Sequence, residues 1–553
     1  MLSACNPQSE TGNTVNSSTN SEDTLKLLYW QAPTILNPHL ATGWKDFDGA
    51  RIVYEPLASI AQNGDFVLFL AEEVPSQENG GLSEDGKSVT WKLRQGVKWS
   101  DGEPFTAQDV VFTYQFVSNS EVAATTSGNY EAIENVEAID DYTVKITFKE
   151  PNPAWYVPFT GQNGLILPEH IFAEYNNARV REAPANLQPI GTGPYQVVEF
   201  KPGDIIVLEP NQLYWDEGKP YFSRVELKGG GDATSAARAV LQTGDADFAY
   251  NLQVEANILK RLEAAGKGKV LTVFGSDVER IMINFTNPAQ GSKVEFPHPF
   301  LSDPQVRKAL TYAVDRETIA KQLYGSTGRP TGQILVAPEA FRSDKISYEF
   351  DLKKAKTLLT EAGWEDSNGN GIRDKDGVEM QVVFATSVNP VRQKTQAIIK
   401  QAFKSIGIGV ELKSVDATIF FSGDPANPDT INRFNFDLQE YTTGNESPDP
   451  SAYMKDWTCG EITAEANSWQ KQNYSRYCNP EYDALWEKAT TELDPEQRSK
   501  LFQQMDELLF TDAAVIPLVA RADANGVSNR LVGLDPTAWD ASTWDIKNWK
   551  RKS

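Results

Sequence analysis

Cysteine and histidine are scarce in this chain, which has 553 residues and only 3 of each. The histidines are His39, His170 and His298, which are too far apart for helical ligand spacing. The sequence therefore offers few residues for a histidine-rich metal centre or a Ser-His triad. The motifs G-x-S-x-G, H-E-x-x-H and C-x-x-C do not occur in the sequence. These absences argue against the commonest hydrolases and metalloenzymes.

Basic residues and long apolar runs are also few. The 52 Lys and Arg residues stand against 76 Asp and Glu residues, which gives a formal net charge of −24. Because nucleic-acid affinity depends on clustered basic side chains, this balance argues against DNA, RNA and anionic membrane surfaces as partners. No stretch approaches the roughly 18–20 consecutive apolar residues of a membrane span. At roughly 100–200 residues per domain, the length predicts about three or four folding units.

The first of the three cysteines, Cys5, follows Leu2, Ser3 and Ala4 in a pattern that resembles a bacterial lipobox. Such a motif predicts cleavage before Cys5 and a lipid anchor on its sulfur, the only expected contact with a membrane. A charged and apolar leader should precede a lipobox, and only Met1 and Leu2 do, so the alternative is a chance cysteine in a tail. Residues 1–24 are predicted to be a lipobox remnant and a disordered tether, because their polar composition cannot bury enough apolar surface to fold.

The other two cysteines, Cys459 and Cys478, lie close together near the other end of the chain. In an exported protein they are candidates for a disulfide, because oxidising compartments favour such bonds. It would close a loop of about twenty residues and contribute about 3 kcal/mol in the chain-entropy model. The alternative is two unrelated buried thiols.

One acidic loop carries oxygen side chains at the spacing of a calcium loop of the EF-hand type, with Gly371 at its sixth position. Position 12 is Gly377 instead of a bidentate Glu, so Asp376 or Glu379 would have to supply the last ligand. The loop is interpreted either as a structural Ca²⁺ site or as a solvated turn, and no cofactor is expected to be required. The candidate ligands are Asp366, Asn368, Asn370, Ile372, Asp374 and Asp376.

Hydrophobic periodicity divides the chain into two halves. Alternating apolar residues predict antiparallel strands in the first half, at residues 25–30, 88–93, 142–148 and 195–208. Apolar residues at helical spacing predict helices in the second half, after Asp303 and at residues 352–362, 391–405 and 494–510. A strand at 408–415 directly follows the third helix, and this alternation favours α/β packing.

Residues 91–110, WKLRQGVKWSDGEPFTAQDV, resemble the signature of solute-binding protein family 5, the extracytoplasmic peptide and nickel receptors of ABC importers. Within it, Thr106 is a helix N-cap with Asp109 three residues later, the spacing of a capping box. Further blocks follow in the family's order at residues 54–57, 191–195, 211 with 214–215, 244–247, 306–310 with 315–317, and 516–518. The resemblance covers nearly everything after the tether.

The resemblance implies an α/β, two-lobed periplasmic-binding-protein-like fold of type II, in the large cluster with an extra subdomain in the first lobe. Lobe I would comprise residues 25–60, 190–280 and 515–553, with the extra subdomain at 61–189 and lobe II at 281–514. The lobes would be joined by hinges near Arg280 and Ile516, and ligand binding would close them.

In peptide receptors of this family an acidic residue before an Asp-Pro segment anchors the ligand's α-amino group, and backbone groups pair with the extended peptide. Counting back from Asp449 and Pro450 places this anchor at Glu446, where peptide-binding relatives usually have Asp. A solvated acidic loop is the alternative. Tyr441 is a candidate for packing against the ligand. Asn445 and Tyr54 complete the predicted ligand-binding set.

The resulting hypothesis is a monomeric extracytoplasmic receptor, periplasmic or on the outer face of the cytoplasmic membrane, without catalytic activity. It would capture an oligopeptide or dipeptide between its lobes and deliver it to the membrane permease of an ABC transporter. Two alternatives stay open. One is a nickel chelate, an oligosaccharide or another non-peptide solute in the same fold, and the other is a secreted hydrolase that uses paired carboxylates.

Overall fold

The computed structural model describes residues 23–41, 43–422 and 427–552. Cys5 and nearly all of the predicted tether lie outside these residues. The predicted tether extends to residue 24, but Thr24 is buried and pairs with Arg224, so the folded part already includes that residue. The strands are β1 (Thr24–Tyr29), β2 (Ala58–Ile60), β3 (Phe66–Leu68), β4 (Ser88–Lys92), β5 (Ile133–Asp140), β6 (Thr143–Phe148), β7 (Tyr195–Lys201), β8 (Ile205–Pro210), β9 (Arg224–Gly229), β10 (Phe248–Ala249), β11 (Gly268–Ile283), β12 (Gly328–Pro330), β13 (Asp374–Lys375), β14 (Val378–Glu379), β15 (Gln381–Ser387), β16 (Gly409–Val415), β17 (Leu438–Thr443), β18 (Val515–Ser528), β19 (Leu531–Val532) and β20 (Lys550–Arg551).

Helices surround these strands in both halves of the chain. Within the described ranges, no helix is both long enough and apolar enough to cross a membrane. The α-helices are α1 (Trp44–Arg51), α2 (Ala107–Ser118), α3 (Glu169–Phe172), α4 (Ala233–Arg238), α5 (Ala256–Glu263), α6 (Pro304–Tyr312), α7 (Arg316–Ile319), α8 (Leu352–Glu361), α9 (Pro390–Ser405), α10 (Ala417–Phe420), α11 (Ser451–Lys455), α12 (Pro480–Ala489) and α13 (Pro495–Thr511).

Several helices begin where the sequence predicts, because a side-chain cap satisfies their first backbone N–H groups. Thr106 and Asp109 form the predicted capping box at the start of α2. Asp303 caps α6 by accepting a hydrogen bond from the backbone N–H of Gln305, with Pro304 in the first turn. Asp494 caps α13 in the same way. These local predictions are confirmed.

One mixed sheet of 11 strands, counted over the described residues, runs through the whole molecule. Its order is β16-β15-β17-β11-β18-β10-β1-β9-β8-β7, and β12 also pairs with β18. In its first-half portion β7, β8 and β9 pair antiparallel, as predicted, but β1 runs parallel to both of its neighbours. The separate sheet β4-β6-β5 packs beside α2 in the part predicted to be the extra subdomain.

The buried core separates into two bodies, which we call the first lobe and the second lobe. The first lobe contains the apolar residues from Leu25 to Leu262 and from Val527 to Trp549. The second lobe contains those from Ile281 to Val519. The mixed α/β architecture with two lobes is therefore as predicted. The predicted subdomain boundary at 60/61 falls inside a hairpin, since Ala58 pairs with Leu68.

The two lobes are joined by β11 and β18, which pair along their length. The register breaks twice between them. Phe274 pairs with Ala522 but Val278 pairs with Ala520, and a second shift follows between Glu279 and Arg280. Such a bulge bends the paired strands. The predicted hinge positions need a correction here, since Ile281 and Ile516 pair with one another inside the second-lobe core. The passage between the lobes lies at residues 275–277 of β11 and near Arg521 of β18.

Candidate functional site

The two lobes contact one another through polar side chains that are far apart in sequence. Such contacts form only when the lobes are close together, so the structure shows a closed arrangement with a cleft between them. The four contacts that define its rim and interior are Asn163–Glu446 at 2.8 Å, Asn389–Gln253 at 2.6 Å, Lys394–Glu255 at 2.7 Å and Lys455–Glu131 at 2.9 Å.

Glu446, the predicted anchor, lies in this cleft. Its Oε2 accepts the hydrogen bond from Nδ2 of Asn163, a first-lobe residue in the short helix Gln162–Gly164. Glu446 is exposed, yet desolvation by the surrounding protein raises its pKa against the opposing effect of the hydrogen bond from Asn163. Exposure together with a raised pKa is what a carboxylate shows when it faces an enclosed space between the lobes. A carboxylate in such a place suits a cationic or hydrogen-bond-donating ligand group.

Asn445 precedes the anchor and fixes it against the strand that joins the lobes. Its backbone oxygen accepts a hydrogen bond from Ser276 Oγ at 2.6 Å, and its Nδ2 donates to the backbone oxygen of Ser447 at 2.8 Å. Gly444 allows this contact, since a Cβ there would lie 2.4 Å from the backbone oxygen of Ser276. Asn445 is only 4% exposed, and its Oδ1 has no hydrogen-bond partner among the described residues.

Tyr441, the predicted ligand-packing aromatic, is buried in the second-lobe core at 2% exposure. Its ring packs against the guanidinium of Arg280, its register partner on β11, with 5.2 Å from the Arg280 carbon to the ring centroid. The same guanidinium donates to the Tyr453 hydroxyl at 2.7 Å and to the Thr443 backbone oxygen at 3.1 Å. Tyr441 is therefore part of the second-lobe core, where it makes a cation–π contact with Arg280.

Tyr54 lies in the first-lobe core at 0% exposure, and burial raises the pKa of its hydroxyl above the ordinary value. No described residue forms a hydrogen bond with that hydroxyl. The buried position of Tyr54 therefore does not support a contact with the ligand. The neighbouring Glu55 does make polar contacts, accepting hydrogen bonds from Tyr214 at 2.9 Å and Trp215 at 2.7 Å. Residues 54–57, the first of the family's sequence blocks in this chain, are therefore part of the scaffold of the first lobe.

A buried ion pair that the sequence analysis did not single out lies beside the cleft. Arg392 of α9 donates from Nε to Glu279 Oε1 at 2.7 Å and from Nη2 to Oε2 at 3.3 Å. Thr442 also donates a hydrogen bond to this carboxylate. Burial would raise the pKa of Glu279, but Arg392 and Thr442 together hold that pKa below its ordinary value. Sequence offered no signal for this pair because its members are more than a hundred residues apart.

The acidic loop predicted to bind Ca²⁺ is an exposed turn beside the β13–β14 hairpin. The Asp366 carboxylate accepts hydrogen bonds from the backbone N–H groups of Gly369 and Gly371, at 2.8 and 3.0 Å. In the described part of the chain, no three His, Cys, Asp or Glu residues are grouped to hold a metal ion. The backbone thus satisfies much of the loop's acceptor capacity, and Ca²⁺ binding stays a prediction.

The predicted disulfide between Cys459 and Cys478 is present in the structure. It closes the segment that follows Lys455, the residue that contacts Glu131 across the cleft. The backbone N–H of Cys459 also donates to Asp483 Oδ1 at 3.0 Å, which ties this segment to α12. The disulfide therefore stabilises one rim of the cleft.

Two lobes joined by paired strands, with polar groups facing one another between them, define the class of two-lobed solute-binding proteins. Residues 36–464 match the model of the bacterial extracellular solute-binding proteins, family 5 Middle, and the chain belongs to this family. The resemblance stated from the signature at residues 91–110 is thereby confirmed.

Relatives and solved structures agree with this assignment. The oligopeptide-binding protein AppA of Bacillus subtilis is 31% identical over 492 residues, which cover 87% of this chain and 83% of AppA. The glutathione-binding protein GsiB of Salmonella paratyphi A is 26% identical over 454 residues, which cover 82% of this chain and 81% of GsiB.

Two solved structures superpose on nearly the entire chain. AppA of Bacillus subtilis in complex with a nonapeptide has a TM-score of 0.78 at 28% identity, covering 96% of this chain and 99% of that one. NikZ of Campylobacter jejuni in complex with Ni(L-His) has a TM-score of 0.79 at 26% identity, covering 96% of this chain and 100% of that one. The same fold therefore holds ligands of different chemistry.

Proposed function

We propose that this receptor captures an oligopeptide or dipeptide between its lobes and delivers it to the permease of an ABC transporter. The observation that carries the proposal is Glu446, an accessible but desolvated carboxylate at the contact between the lobes. It can pair with the α-amino group of a peptide, and closure over the ligand would present one defined surface to the permease. The similarity to the oligopeptide-binding protein AppA supports the peptide assignment.

The remaining parts of the proposal concern the setting. The receptor acts as a monomer outside the cytoplasm, is held at the membrane through Cys5, and catalyses no reaction. The lipobox-like residues before Cys5 and the disulfide between Cys459 and Cys478 support an exported protein. Mass spectrometry of the membrane-associated protein would show the diacylglyceryl group on Cys5, and an unmodified thiol there would contradict the anchor.

The peptide assignment is tested by thermal unfolding of the full chain with di- to pentapeptides. A ligand at about 100 times its dissociation constant adds about 2.7 kcal/mol to the free energy of unfolding, so a binder raises Tm. We expect the Glu446→Gln variant to lose most of that rise, because the amide cannot pair with an ammonium group. Glu295→Gln is the matched control, since Glu295 is exposed in a second-lobe loop.

A nickel chelate is the second candidate, favoured by the similarity to NikZ. The histidines of this chain do not offer direct coordination in the cleft. His39 is fully buried between Thr126 and Leu165, and His298 is hydrogen-bonded to Asp437. If no peptide raises Tm and Ni²⁺ with L-histidine does, the peptide assignment is wrong and the chelate assignment replaces it.

A further inference from the structure

Two more carboxylates lie beside Glu446, on the strands that join the lobes. Asp277 directly follows Ser276, whose Oγ donates to the backbone oxygen of Asn445, so Asp277 and Glu446 are next to contacting residues. Asp523 lies on β18 opposite Val273 of β11, close to the bulge that contains Asp277. Their charges interact, because Asp277 raises the pKa of both Glu446 and Asp523. The three carboxylates form what we call the acidic strip: Asp277, Glu446 and Asp523.

The acidic strip is not neutralised by the protein around it. Over the described residues, Asp277 and Asp523 accept no hydrogen bond, and no basic nitrogen lies within 4.0 Å of any of the three carboxylates. Arg521 has the largest opposing effect on the pKa of Asp277, and Arg280 and Arg392 lower that pKa as well. None of the three forms an ion pair with Asp277, and Nη2 of Arg521 donates to Asn251 Oδ1 at 2.8 Å. Neighbouring carboxylates without an ion-pair partner repel one another, so this arrangement favours a cation from outside the chain.

Two buried amide oxygens point to the same kind of ligand. Asn445 Oδ1 and Gln162 Oε1 have no hydrogen-bond partner among the described residues, although the side chains are only 4% and 3% exposed. They are adjacent in sequence to Glu446 and Asn163, the pair that makes the contact between the lobes. Buried acceptors without donors are uncommon, and together with the acidic strip they call for a ligand rich in N–H groups.

An aromatic side chain stands on the first-lobe side of the acidic strip. Tyr250 stacks on Tyr29 with 4.6 Å between the ring centroids. Burial raises the pKa of Tyr250, and the charges of Asp48, Asp523 and Asp277 raise it further, which places its ring near these carboxylates. An aromatic ring next to carboxylates is a favourable environment for an ammonium or guanidinium group.

We propose that the cleft selects peptides with two cationic groups, the α-amino group at Glu446 and a Lys or Arg side chain between Asp277 and Asp523. This proposal rests on the proposed peptide function and adds its charge selectivity. The second cation binds beside Tyr250, within reach of the acidic strip. A peptide with Lys or Arg at its first or second residue has both groups close enough together to use the three carboxylates.

Isothermal titration calorimetry of the full chain with matched tripeptides tests the selectivity. The probes are Lys-Ala-Ala, norleucine-Ala-Ala and Glu-Ala-Ala, which differ in the charge of one side chain. We expect Lys-Ala-Ala to bind at least tenfold more tightly than the norleucine peptide and the Glu peptide to bind most weakly. Raising the salt concentration should weaken Lys-Ala-Ala more than the norleucine peptide, because salt screens charge pairs. Equal affinities for the Lys and norleucine peptides would overturn the proposal.

Two variants on different strands locate the second cation. We expect Asp277→Asn and Asp523→Asn each to bring the ratio of the two affinities towards one, whereas Glu295→Gln leaves the ratio unchanged. Circular dichroism and Tm establish that each variant is folded. An unchanged ratio in both folded variants would contradict the assignment of Asp277 and Asp523.

Binding of a dication without a peptide bond distinguishes a failure of the proposed peptide function from a failure of the proposed charge selectivity. If 1,5-diaminopentane binds and no tripeptide does, the peptide function is wrong while the acidic strip is still a dication site. If the tripeptides bind without charge preference, the peptide function stands and the acidic strip has no selective role. If neither the dication nor any tripeptide binds, both proposals fail.

Discussion

Glu279 and Asp277 lie two residues apart on the same strand, yet their surroundings are opposite. Glu279 is 1% exposed and receives hydrogen bonds from Arg392 and Thr442, which hold its pKa below the ordinary value. Asp277 is accessible, has no ion-pair partner within the described residues, and desolvation raises its pKa. Asp277 lies within the bulge between Phe274 and Val278, whereas Glu279 lies beyond it and pairs with Val519. A carboxylate that the chain neutralises is part of the scaffold, and one that the chain leaves unpaired is available to a ligand.

The largest expected effect on stability comes from removing Arg392, the partner that neutralises Glu279. We expect Arg392→Met to lower the free energy of unfolding by about 3–5 kcal/mol, because it leaves the Glu279 charge buried without a partner. The measurement is the urea midpoint of the ligand-free chain. Lys400→Met is the matched control, since Lys400 is exposed on the same helix, and it should change little. Equal midpoints for the two variants would show that the Glu279–Arg392 pair does not stabilise the fold.

A smaller effect on stability, of opposite sign, is expected from the carboxylates that have no ion-pair partner. Desolvation raises the pKa of Asp523 to about 7, and those of Asp456 and Asp506 to about 7 as well. Because these values lie above those of the unfolded chain, protonation stabilises the folded state, and stability is lost as the pH rises through about 7. The Tm of the ligand-free chain should therefore rise between pH 8 and about pH 5.

Glu279 should not contribute to that rise, because its lowered pKa keeps it ionised until the pH falls below the ordinary range for Glu. Asp523→Asn removes one of several titrating groups, which also include Asp545 and Asp48, and should raise Tm at pH 8 while flattening the dependence on pH. A Tm that falls steadily from pH 8 to pH 5, in both the parent chain and this variant, would refute the assignment of unpaired carboxylates.

The smallest effect on stability is expected from the acidic turn at residues 366–376. There the carboxylates accept hydrogen bonds from backbone N–H groups and do not pair with a guanidinium. Asp366 and Asp374 already accept hydrogen bonds from the chain, Asp374 from both the backbone N–H and the hydroxyl of Ser367. We expect Ca²⁺ at millimolar concentration to leave Tm nearly unchanged. A rise in Tm that Asp366→Asn abolishes would instead establish a structural Ca²⁺ site.

Local patterns predicted many elements correctly because their causes lie within a few residues. The capping box at Thr106, the cap at Asp303 and the alternation in β4 and β6 depend on neighbouring side chains and backbone groups. The site was less accessible to such reasoning. Glu446 lies in the cleft, but Tyr441 and Tyr54 are buried in separate cores, since a motif does not show which way a side chain points.

The sequence by itself determined the family, the two-lobed α/β fold and the helix caps, and it made Cys459 and Cys478 candidates for a disulfide that the structure then confirmed. Each of these depends on local patterns or on several short motifs in a fixed order. Only the tertiary structure decided which carboxylates are neutralised and which face the cleft. The reason is physical: the pKa values of Asp277, Glu279 and Glu446 depend on partners from distant parts of the chain, which only the folded structure brings together.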